Sequence, residues 1–360
     1  MKSVALVFLG DYYYDARCIN MADFFINNGY SVYIYNVSSS SKNYRGHSVI
    51  NINLGSFTLG FIKYFIFFNR VRKELFKRNF DIIIASDLYS LPAAIMNSKS
   101  KIIYDSREIY SHLGSLSKKP IKQKFWQILE SFCIKKVSLV LVNAKTDEQF
   151  LKIRYPFIFT KLIYNFPSLK LQPKKNKILY ETFNIPEKFD IFLYQGVLLN
   201  GRGINLMIET LLTFKNAHVV LIGIGPFREN AEKFAKKINV YDRVHFLGKV
   251  PYRELLSYTA SATIGFSLIE PISLSYKNAL PNKIFEYALS GIPTIATDLH
   301  EIKHFFGKYD LGVLVSLNKE KIILGIKEIL KNEYSCLQSI SQQAFVWENQ
   351  LDLLEILDEN

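Results

Sequence analysis

The stretch NALPNKIFEYALSGIPTIATD, Asn278 to Asp298, places a cation and a carboxylate at the start of a predicted helix. Pro281 suits the first turn of that helix, because its missing N–H would be unpaired there. The amides that follow, beginning with Asn282 and Lys283, are then free to bind an anion. Glu286, about one turn further along, would repel a phosphate but can accept hydrogen bonds from sugar hydroxyls. A diphosphate attached to a ribose satisfies both requirements, and a capped surface helix with a solvated glutamate is the alternative.

A second candidate anion contact is an arginine between two glycines, in QGVLLNGRGINLMIETL. Gly201 and Gly203 let the backbone come close to a ligand, and Arg202 can pair with phosphate oxygens in a forked geometry just ahead of a predicted helix. A solvated loop arginine is the competing interpretation. In VVLIGIGPF, Gly223 and Gly225 follow a predicted strand, but the third glycine of a dinucleotide fingerprint is absent, which favours a tight turn between strand and helix.

The composition limits the class of protein. The 360 residues suit two domains, and 49% hydrophobic with 21% charged residues is an ordinary globular composition. No apolar run approaches the ~18 residues that a membrane-spanning helix needs. The formal net charge of +13 calls for an anionic partner such as a phosphorylated substrate or an acidic membrane surface. Nucleic acid ranks last, because the sequence has no zinc-finger, RNA-binding or helix-turn-helix pattern.

The cysteines and acidic residues show no metal-site spacing. Cys18, Cys133 and Cys336 are scattered, which favours a reducing cytoplasm and neither a disulfide framework nor a zinc site. No Asp-x-Asp pair or histidine cluster is present, so we expect no metal and no other cofactor. The start, MKSVALVFLG, is interpreted as a first strand and not as a secretory signal, because no cleavage site follows it.

Strand and helix patterns alternate along the whole chain. Nearly continuous apolar runs such as FDIIIASD and SLVLVNA are typical of strands buried on both faces of a parallel sheet. The stretch YNFPSLKLQPKKNK, 164–177, interrupts the alternation with two prolines and several lysines, which indicates a linker. The predicted fold class is α/β, with two doubly wound Rossmann-like domains facing across a cleft. They comprise residues 1–166 and 167–340, and a C-terminal helix, 341–360, is expected to pack back on the first domain.

Five blocks of the second half occur in the order of a known family: YQGVLLNGRGINLMIETL, VVLIGIGP, RVHFLGKVPYRELLSYTASATIGFSL, LPNKIFEYALSGIPTIATD and VWENQ. They resemble the GT-B-fold glycosyltransferases of family 4, the retaining group among the glycosyl transferases group 1. In the first half, LGDYYYDARCINMADFFINNGYSVYIYNV and IIYDSREIYS also fit. The resemblance implies transfer of a sugar from a UDP- or GDP-linked donor, with the donor site in the second domain and the acceptor site in the first.

The resemblance also implies roles for individual residues. Glu286 falls where the family holds the donor ribose, and Arg202 where it contacts the diphosphate. The implied catalytic set is Arg202, Lys283, Glu286 and Glu108. The implied donor-binding residues are Gly10, Gly201, Gly203, Gly225, Val250, Asn278, Pro281 and Asn282, with Val250 contacting the base through its backbone. The implied acceptor-side residues are Asp15, Arg17 and Arg107.

Three positions depart from the family pattern. The usual pair of glutamates eight residues apart is Asn278 and Glu286 here, so the contact to the transferred sugar is altered or passes to Glu270. The basic residue that often follows the first glycine of the phosphate loop is Val197, and the histidine of the acceptor-side loop is Arg107. Because of these departures, the sequence leaves the identity of the sugar open.

Two rival functions stay open. A GT-B-like nucleotide-sugar epimerase would need acid and base carboxylates and a histidine near the donor sugar, of which the sequence offers few. A catalytically silent GT-B scaffold that binds a nucleotide or a protein partner is favoured by the missing first glutamate. The base of the donor and the acceptor are equally open.

The segment GFIKYFIFFNRVRKELFKRNF, 60–80, predicts an amphipathic helix. The predicted core-facing stripe is Phe61, Tyr64, Phe65, Phe68, Val71 and Leu75, and the predicted basic face is Lys63, Arg70, Lys73 and Lys77, with Ile62 and Ile66 beside it. A basic helix with exposed apolar residues is typical of proteins that rest on an anionic bilayer, and SLSKKPIKQKFW, 115–126, is a second candidate contact. We therefore expect a cytoplasmic protein at the inner face of the cell membrane, acting on a lipid-linked or glycan acceptor in surface polysaccharide or glycoconjugate synthesis. An ordinary sheet-covering helix with a soluble acceptor is the alternative.

Overall fold

The computed structural model describes residues 1–38, 46–55, 60–97, 99–113, 116 and 119–350. They form two compact units, within Met1–Asn165 and Phe166–Leu351. The division lies inside the stretch 164–177, where the prolines and lysines indicate a linker. Each unit is an α/β layer structure built on its own parallel sheet.

The first unit contains seven strands and five α-helices in the described residues. The strands are β1 Ser3–Val7, β2 Ser31–Asn36, β3 Ser48–Asn51, β4 Ile82–Ala85, β5 Lys101–Ser106, β6 Leu139–Val142 and β7 Thr160–Leu162. The helices are α1 Ala16–Asn27, α2 Gly60–Leu75, α3 Leu91–Ala94, α4 Pro120–Cys133 and α5 Lys145–Arg154. All neighbouring strands are parallel, in the order β3-β2-β1-β4-β5-β6-β7.

The second unit repeats this plan with six parallel strands in the order β10-β9-β8-β11-β12-β13. They are β8 Asp190–Gln195, β9 Ala217–Ile222, β10 Val244–Gly248, β11 Ile264–Ser267, β12 Thr294–Thr297 and β13 Gly312–Val315. The helices are α6 Ile178–Phe183, α7 Ile204–Glu209, α8 Arg228–Lys237, α9 Tyr252–Thr259, α10 Leu274–Lys277, α11 Lys283–Leu289, α12 His300–Phe306, α13 Lys319–Ile329 and α14 Leu337–Ala344. The predicted class, two doubly wound α/β Rossmann-like units, is confirmed.

The order of the strands determines where a ligand can bind. In both sheets the strand order reverses beside the first strand of the unit: β1 lies between β2 and β4, and β8 lies between β9 and β11. The loops that leave the carboxyl ends of these neighbours diverge, which opens a crevice at that edge. In the second unit, the loop after β8 carries Arg202 and the loop after β11 leads to Glu286.

The C-terminal segment differs from the single helix predicted over 341–360. Helix α14 ends at Ala344, and a 3₁₀ turn, Trp347–Gln350, follows it within the second unit. The Glu348 carboxylate accepts hydrogen bonds from the Ser168 hydroxyl and, at 2.9 Å, from the Leu169 amide. These bonds hold the segment against the start of the same unit. Residues 351–360 of the predicted helix lie outside the described residues.

Helix α2 is confirmed, but its predicted core-facing stripe is partly wrong. Phe67, Val71 and Leu75 are buried, whereas Phe61 and Phe65 are 47% and 68% exposed. Residues four apart lie on the same side of a helix, so Phe67, Val71 and Leu75 mark the side that faces the core. Phe65, two positions before Phe67, lies about half a turn away and faces outward. The helix therefore leaves part of its aromatic surface uncovered.

Tyr287 anchors α11 against the second sheet. Its hydroxyl accepts a hydrogen bond from the Gln195 amide and lies the same 3.3 Å from the carbonyl oxygens of Leu193 and Phe266. Its ring lies over Gly265, where a Cβ would be only 2.3 Å from the ring carbons. The absence of a side chain at Gly265 thus sets how closely α11 approaches β8 and β11.

We predict that Gly265→Ala destabilises the second unit by about 1–3 kcal/mol, because the added methyl forces the Tyr287 ring off the sheet. The measurement is urea unfolding followed by Trp347 fluorescence in a Trp126→Phe background, since these are the two tryptophans of the chain. Ser267→Ala is the matched control, because it removes a buried hydroxyl of the same strand that has no hydrogen-bond partner among the described residues. Equal unfolding midpoints for Gly265→Ala and the parent would contradict the argument.

Candidate functional site

Two loops meet at the carboxyl edge of the second sheet. The Glu270 amide donates a hydrogen bond to the Gly201 carbonyl at 2.9 Å, which joins the loop after β11 to the loop after β8. At Gly203, a Cβ would lie 2.4 Å from the Leu268 side chain. Gly201 and Gly203 also have φ values of +79° and +62°, a region that favours glycine. These glycines therefore let the loop after β8 pack closely on the loop after β11. Their predicted role in bringing the backbone close to a ligand stays a prediction.

Two cations of this edge lie on tyrosine rings. The Arg202 guanidinium is 4.3 Å from the centroid of the Tyr276 ring, and the Lys283 ammonium is 3.8 Å from that of Tyr194. Contacts of this kind fix the direction of a cation without neutralising it. Burial lowers the pKa of Lys283 well below its ordinary value, and the charge of Arg202 lowers it further. An anion bound beside both cations would stabilise the charged form of Lys283.

Glu286 is buried beneath these cations and held by an amide. Its Oε2 accepts a hydrogen bond from Gln195 Nε2, and the Thr259 hydroxyl donates to Gln195 Oε1 at 2.8 Å. Burial raises the pKa of Glu286 to about 7, although the Gln195 hydrogen bond and the charge of Lys283 act in the opposite direction. The carboxylate is therefore a fixed hydrogen-bond acceptor whose charge changes near neutral pH.

The sequence analysis missed Gln195, Tyr194 and Tyr276. Gln195 ends β8 directly before Gly196, and a polar residue at the last position of an otherwise apolar strand is a usable signal for a site residue. Its partner, Glu286, is 91 residues away in the sequence, so the pair itself has no local signature. In the sequence, Tyr194 and Tyr276 look like ordinary core or loop residues. Only the structure shows that Lys283 and Arg202 lie over their rings.

The glycines after β9 act on the backbone of the neighbouring loop. A Cβ at Gly223 would lie 2.0 Å from the Gly196 carbonyl oxygen, and one at Gly225 would lie 2.2 Å from that of Leu198. The Leu198 amide donates to the Ile224 carbonyl at 3.0 Å, which completes the contact. Close packing of the two loops therefore accounts for both glycines, and donor binding by Gly225 stays a prediction.

The start of α11 differs in detail from the prediction. The helix begins at Lys283 with Asn282 as its N-cap residue, so Pro281 precedes the cap and is not in the first turn. The Ile284 amide donates to the Pro281 carbonyl at 3.3 Å and is not free. Asn278 is the C-cap residue of α10, and Val250 is partly buried after β10. Ligand contacts of these residues stay predictions.

The predicted acceptor-side arginines form an ion network inside the first unit. Arg17 is 1% exposed, pairs with both carboxylate oxygens of Asp105 at 2.8 and 2.9 Å, and donates to the Ile163 carbonyl. Arg107 bridges Asp105 and Asp15 at 3.0 and 2.8 Å. Burial raises the pKa of Asp105, but the two arginines outweigh it and hold that pKa below its ordinary value. The Arg17 guanidinium is therefore engaged in the core of the first unit, and its contact with an acceptor stays a prediction.

The other first-unit candidates lie near the ends of β1 and β5. At Gly10, a Cβ would lie 2.4 Å from the Phe8 ring, so this glycine permits close packing of its own loop. The Arg107 guanidinium stacks on the same ring at 4.9 Å, and Asp15 caps α1 by accepting from the Cys18 amide at 2.7 Å. Glu108 is exposed. The structure brings Gly10 and Arg107 together through Phe8, and their contact with a substrate stays a prediction.

Two cavities of the second unit are placed very differently. One of about 100 Å³ is lined by Arg202 and Glu270, at the carboxyl edge of the sheet. Another, of about 680 Å³, lies at the opposite edge and is lined by residues such as Ser261 and Ser290, which precede β11 and β12. The larger cavity contains none of the predicted site residues, so the chemistry of the side chains places the candidate site at the smaller one.

Residues 176–347 match the family model described as glycosyl transferases group 1. The matched range contains Arg202, Glu270, Lys283 and Glu286, which all lie at the carboxyl edge of the second sheet. The match spans most of the second unit and none of the first. No curated protein sequence matches the chain.

Three solved structures are similar to this chain over almost its full length. Sucrose-phosphate synthase from Thermosynechococcus elongatus is 17% identical with a TM-score of 0.80, covering 100% of this chain and 98% of that one. Anabaena HepE in complex with UDP and glucose is 15% identical with a TM-score of 0.72, covering 100% of both chains. WaaG, a glycosyltransferase involved in lipopolysaccharide biosynthesis, is 13% identical with a TM-score of 0.71, covering 97% and 99%. At these identities the likeness establishes a shared GT-B fold.

Two negative findings concern the described residues alone. Within them, no group of three or more His, Cys, Asp or Glu side chains could hold a metal ion. The same part of the chain has no helix that is both long and apolar enough to cross a membrane. Independence from a metal stays a prediction.

We predict that Glu286 makes the stability of the second unit depend on pH. Its folded pKa of about 7 lies above the ordinary value of a glutamate, so protonation favours the folded state. The resulting stabilisation is fully present below the unfolded pKa and is lost as the pH rises through about 7. Relative to Glu286→Gln, the parent should lose roughly 1–3 kcal/mol between pH 5 and 8. Urea unfolding at several pH values, again followed by Trp347, measures this difference, and parallel profiles for the two proteins would contradict it.

Proposed function

We propose that this protein is a retaining, family 4 glycosyltransferase that transfers a sugar from a UDP- or GDP-linked donor to a glycan or lipid-linked acceptor. The observation that carries the proposal is the grouping of Arg202, Lys283 and buried Glu286 at the edge of a group 1 glycosyltransferase domain. The crystallised HepE was in complex with UDP and glucose, which supports a nucleotide-sugar donor for a chain of the same fold.

The two cations suit a departing diphosphate. As the bond from the sugar to the phosphate breaks, negative charge develops on the leaving group, and fixed cations stabilise it without having to reorganise. The Tyr276 and Tyr194 rings hold Arg202 and Lys283 in place before the donor arrives. Lys283 is only partly exposed and its charged form is disfavoured by burial, so a bound diphosphate would strengthen its protonation. In this proposal the diphosphate itself accepts the proton of the acceptor, and no metal is needed.

Glu286 and Glu270 divide the contacts to the sugars. Glu286 is fixed by Gln195 and, when ionised, is well placed to accept hydrogen bonds from the ribose hydroxyls of the donor. The family's first glutamate is replaced by Asn278, which caps α10. Glu270 lines the same cavity as Arg202 and is held by its backbone bond to Gly201, so we assign it the contact to the transferred sugar.

The first unit is the proposed acceptor side. Arg107 is positioned by its ion pair with buried Asp105 and in turn pairs with Asp15, and Glu108 is exposed nearby in sequence. The chain's formal charge of +13 favours association with an anionic surface, so we propose that the enzyme acts at the inner face of the cell membrane. The proposed process is polysaccharide or glycoconjugate synthesis.

We predict that Arg202→Ala and Lys283→Ala each weaken UDP binding by about 10–100-fold but change uridine binding by less than about threefold, because both cations act on the diphosphate. Isothermal titration calorimetry with the two ligands measures the difference. Lys308→Ala is the matched control, because it removes an exposed lysine of the same unit. Equal losses for UDP and uridine would remove the assignment of these cations to the phosphates.

Transfer itself is tested with a panel of UDP- and GDP-sugars in the presence of a chelator. We expect slow release of free sugar from one donor, detected by mass spectrometry, and loss of that release in Glu286→Ala, because the ribose contact is removed. A donor that binds but is never cleaved would favour the silent scaffold. Conversion of a nucleotide sugar into its epimer would favour the epimerase, and a requirement for Mg²⁺ or Mn²⁺ would contradict the metal-free mechanism.

A further inference from the structure

Helix α4 of the first unit has an apolar stripe that nothing in the described residues covers. Ile121, Phe125, Ile128 and Phe132 follow one another at the spacing i, i+4, i+7, i+11, and their side chains are 85%, 47%, 60% and 64% exposed. The opposite side of the same helix carries buried Trp126 and Cys133. The helix is therefore apolar on two sides, and only one of them packs on the sheet. Four exposed apolar residues in one line exceed the scattered surface residues of an ordinary globular protein.

The stripe is continuous with the uncovered aromatic residues of α2. The Phe61 ring packs edge-on against the Phe125 ring, with centroids 5.5 Å apart, and Lys122 lies over Phe61 at 5.4 Å. Ile62 and Phe65, one turn around α2, are also exposed. We define the α2–α4 face as the following residues: Phe61, Ile62, Phe65, Ile121, Phe125, Ile128 and Phe132.

Lysines flank the α2–α4 face on both sides. By helical spacing, Lys122 lies on one side of the α4 stripe and Lys124 on the other, and Lys135 follows in the 3₁₀ turn Ile134–Lys136. All three lysines are exposed. Residues 119–136 contain five lysines and a single acidic residue. That residue, Glu130, is buried and accepts hydrogen bonds from the hydroxyls of Tyr104 and Tyr155. The exposed charge of the segment 119–136 is therefore entirely positive.

We propose that the α2–α4 face docks the protein on an anionic lipid bilayer, with α4 lying in the plane of the interface. An apolar stripe flanked by lysines on one helix matches such a surface, because the apolar side chains enter the acyl boundary while the ammonium groups meet lipid phosphates. The sequence predicted a membrane contact at the basic face of α2, whereas this proposal places its centre at the apolar stripe of α4. In the second candidate segment, 115–126, residues 115, 117 and 118 lie outside the described residues, and Leu116 is buried.

A second copy of the chain fits the face less well. A two-fold symmetric contact would place the same patch on both sides and bring the flanking lysines of the two copies together. Like charges facing each other at an interface are destabilising, whereas an anionic bilayer neutralises them. The charge pattern therefore favours lipid over self-association.

The docking test uses the full chain and vesicles without any donor, so it does not depend on the proposed transferase activity. Co-sedimentation compares vesicles of phosphatidylcholine alone with vesicles that also contain phosphatidylglycerol. We expect binding only to the anionic vesicles, weakened by salt. The apolar variant Ile121→Ser, Ile128→Ser, Phe132→Ser and the charge variant Lys122→Gln, Lys124→Gln, Lys135→Gln should each lower the partition coefficient at least about tenfold.

The matched control lies on α13 of the second unit. It combines Leu324→Ser with Lys321→Gln and Lys327→Gln, which changes an exposed leucine and two exposed lysines. This control should bind vesicles like the parent. Thermal melting and UDP affinity establish that each variant is folded and that the second unit is intact. If neither UDP nor GDP binds the parent while vesicles still bind, the proposed function is wrong and the docking proposal stands.

A reporter variant separates insertion from adsorption. In a Trp126→Phe, Trp347→Phe background, Ile128→Trp should show a blue-shifted emission on anionic vesicles and quenching by brominated acyl chains, because α4 enters the acyl boundary. Three outcomes would overturn the proposal: equal binding by the apolar variant and the parent, no quenching of the reporter, or a concentration-dependent dimer in light scattering that the apolar variant abolishes. The last would assign the face to a second copy.

Discussion

The second unit depends on the contact between Tyr287 and the sheet. The ring fits where Gly265 has no side chain, and its hydroxyl meets backbone groups of β8 and β11 together. This contact places the two strands and α11 in one rigid arrangement. The residue before Tyr287 on the helix is Glu286, which then reaches Gln195 at the end of β8. The position of the carboxylate is thus a consequence of how a neighbouring tyrosine packs.

This arrangement places ionisable groups close together where burial makes their charged forms unfavourable. Burial and the charge of Arg202 disfavour the charged form of Lys283, and burial disfavours the charged form of Glu286. Groups tuned in this way cluster at functional sites, because the ligand supplies the missing charges or hydrogen bonds. The aromatic partners of the cations, Tyr194 and Tyr276, contribute direction and leave the charges unpaired. The site is therefore organised for a ligand at some expense to the stability of the unit.

The sequence predicts the fold class well, for local reasons. Buried apolar strands alternate with helices, and both patterns are visible within short stretches of the sequence. Contacts between distant segments could not be predicted: Gln195 with Glu286, and Arg17 with Asp105, are 91 and 88 residues apart. The orientation of α2 was also ambiguous, since Lys63 is the only residue of 61–68 that is neither aliphatic nor aromatic. Periodicity cannot identify a core face when nearly every side of a helix is apolar.

The buried guanidinium of Arg17 has a consequence for how the first unit is made. Its two acceptors, Asp105 and the Ile163 carbonyl, are 88 and 146 residues downstream. A chain emerging from the ribosome therefore presents α1 long before the groups that neutralise and satisfy this arginine exist. Contacts of such long sequence separation form late, and domains tend to fold as whole units during synthesis. The ion pair can form only after β5 has left the exit tunnel, and the bond to the Ile163 carbonyl only after β7 has followed it.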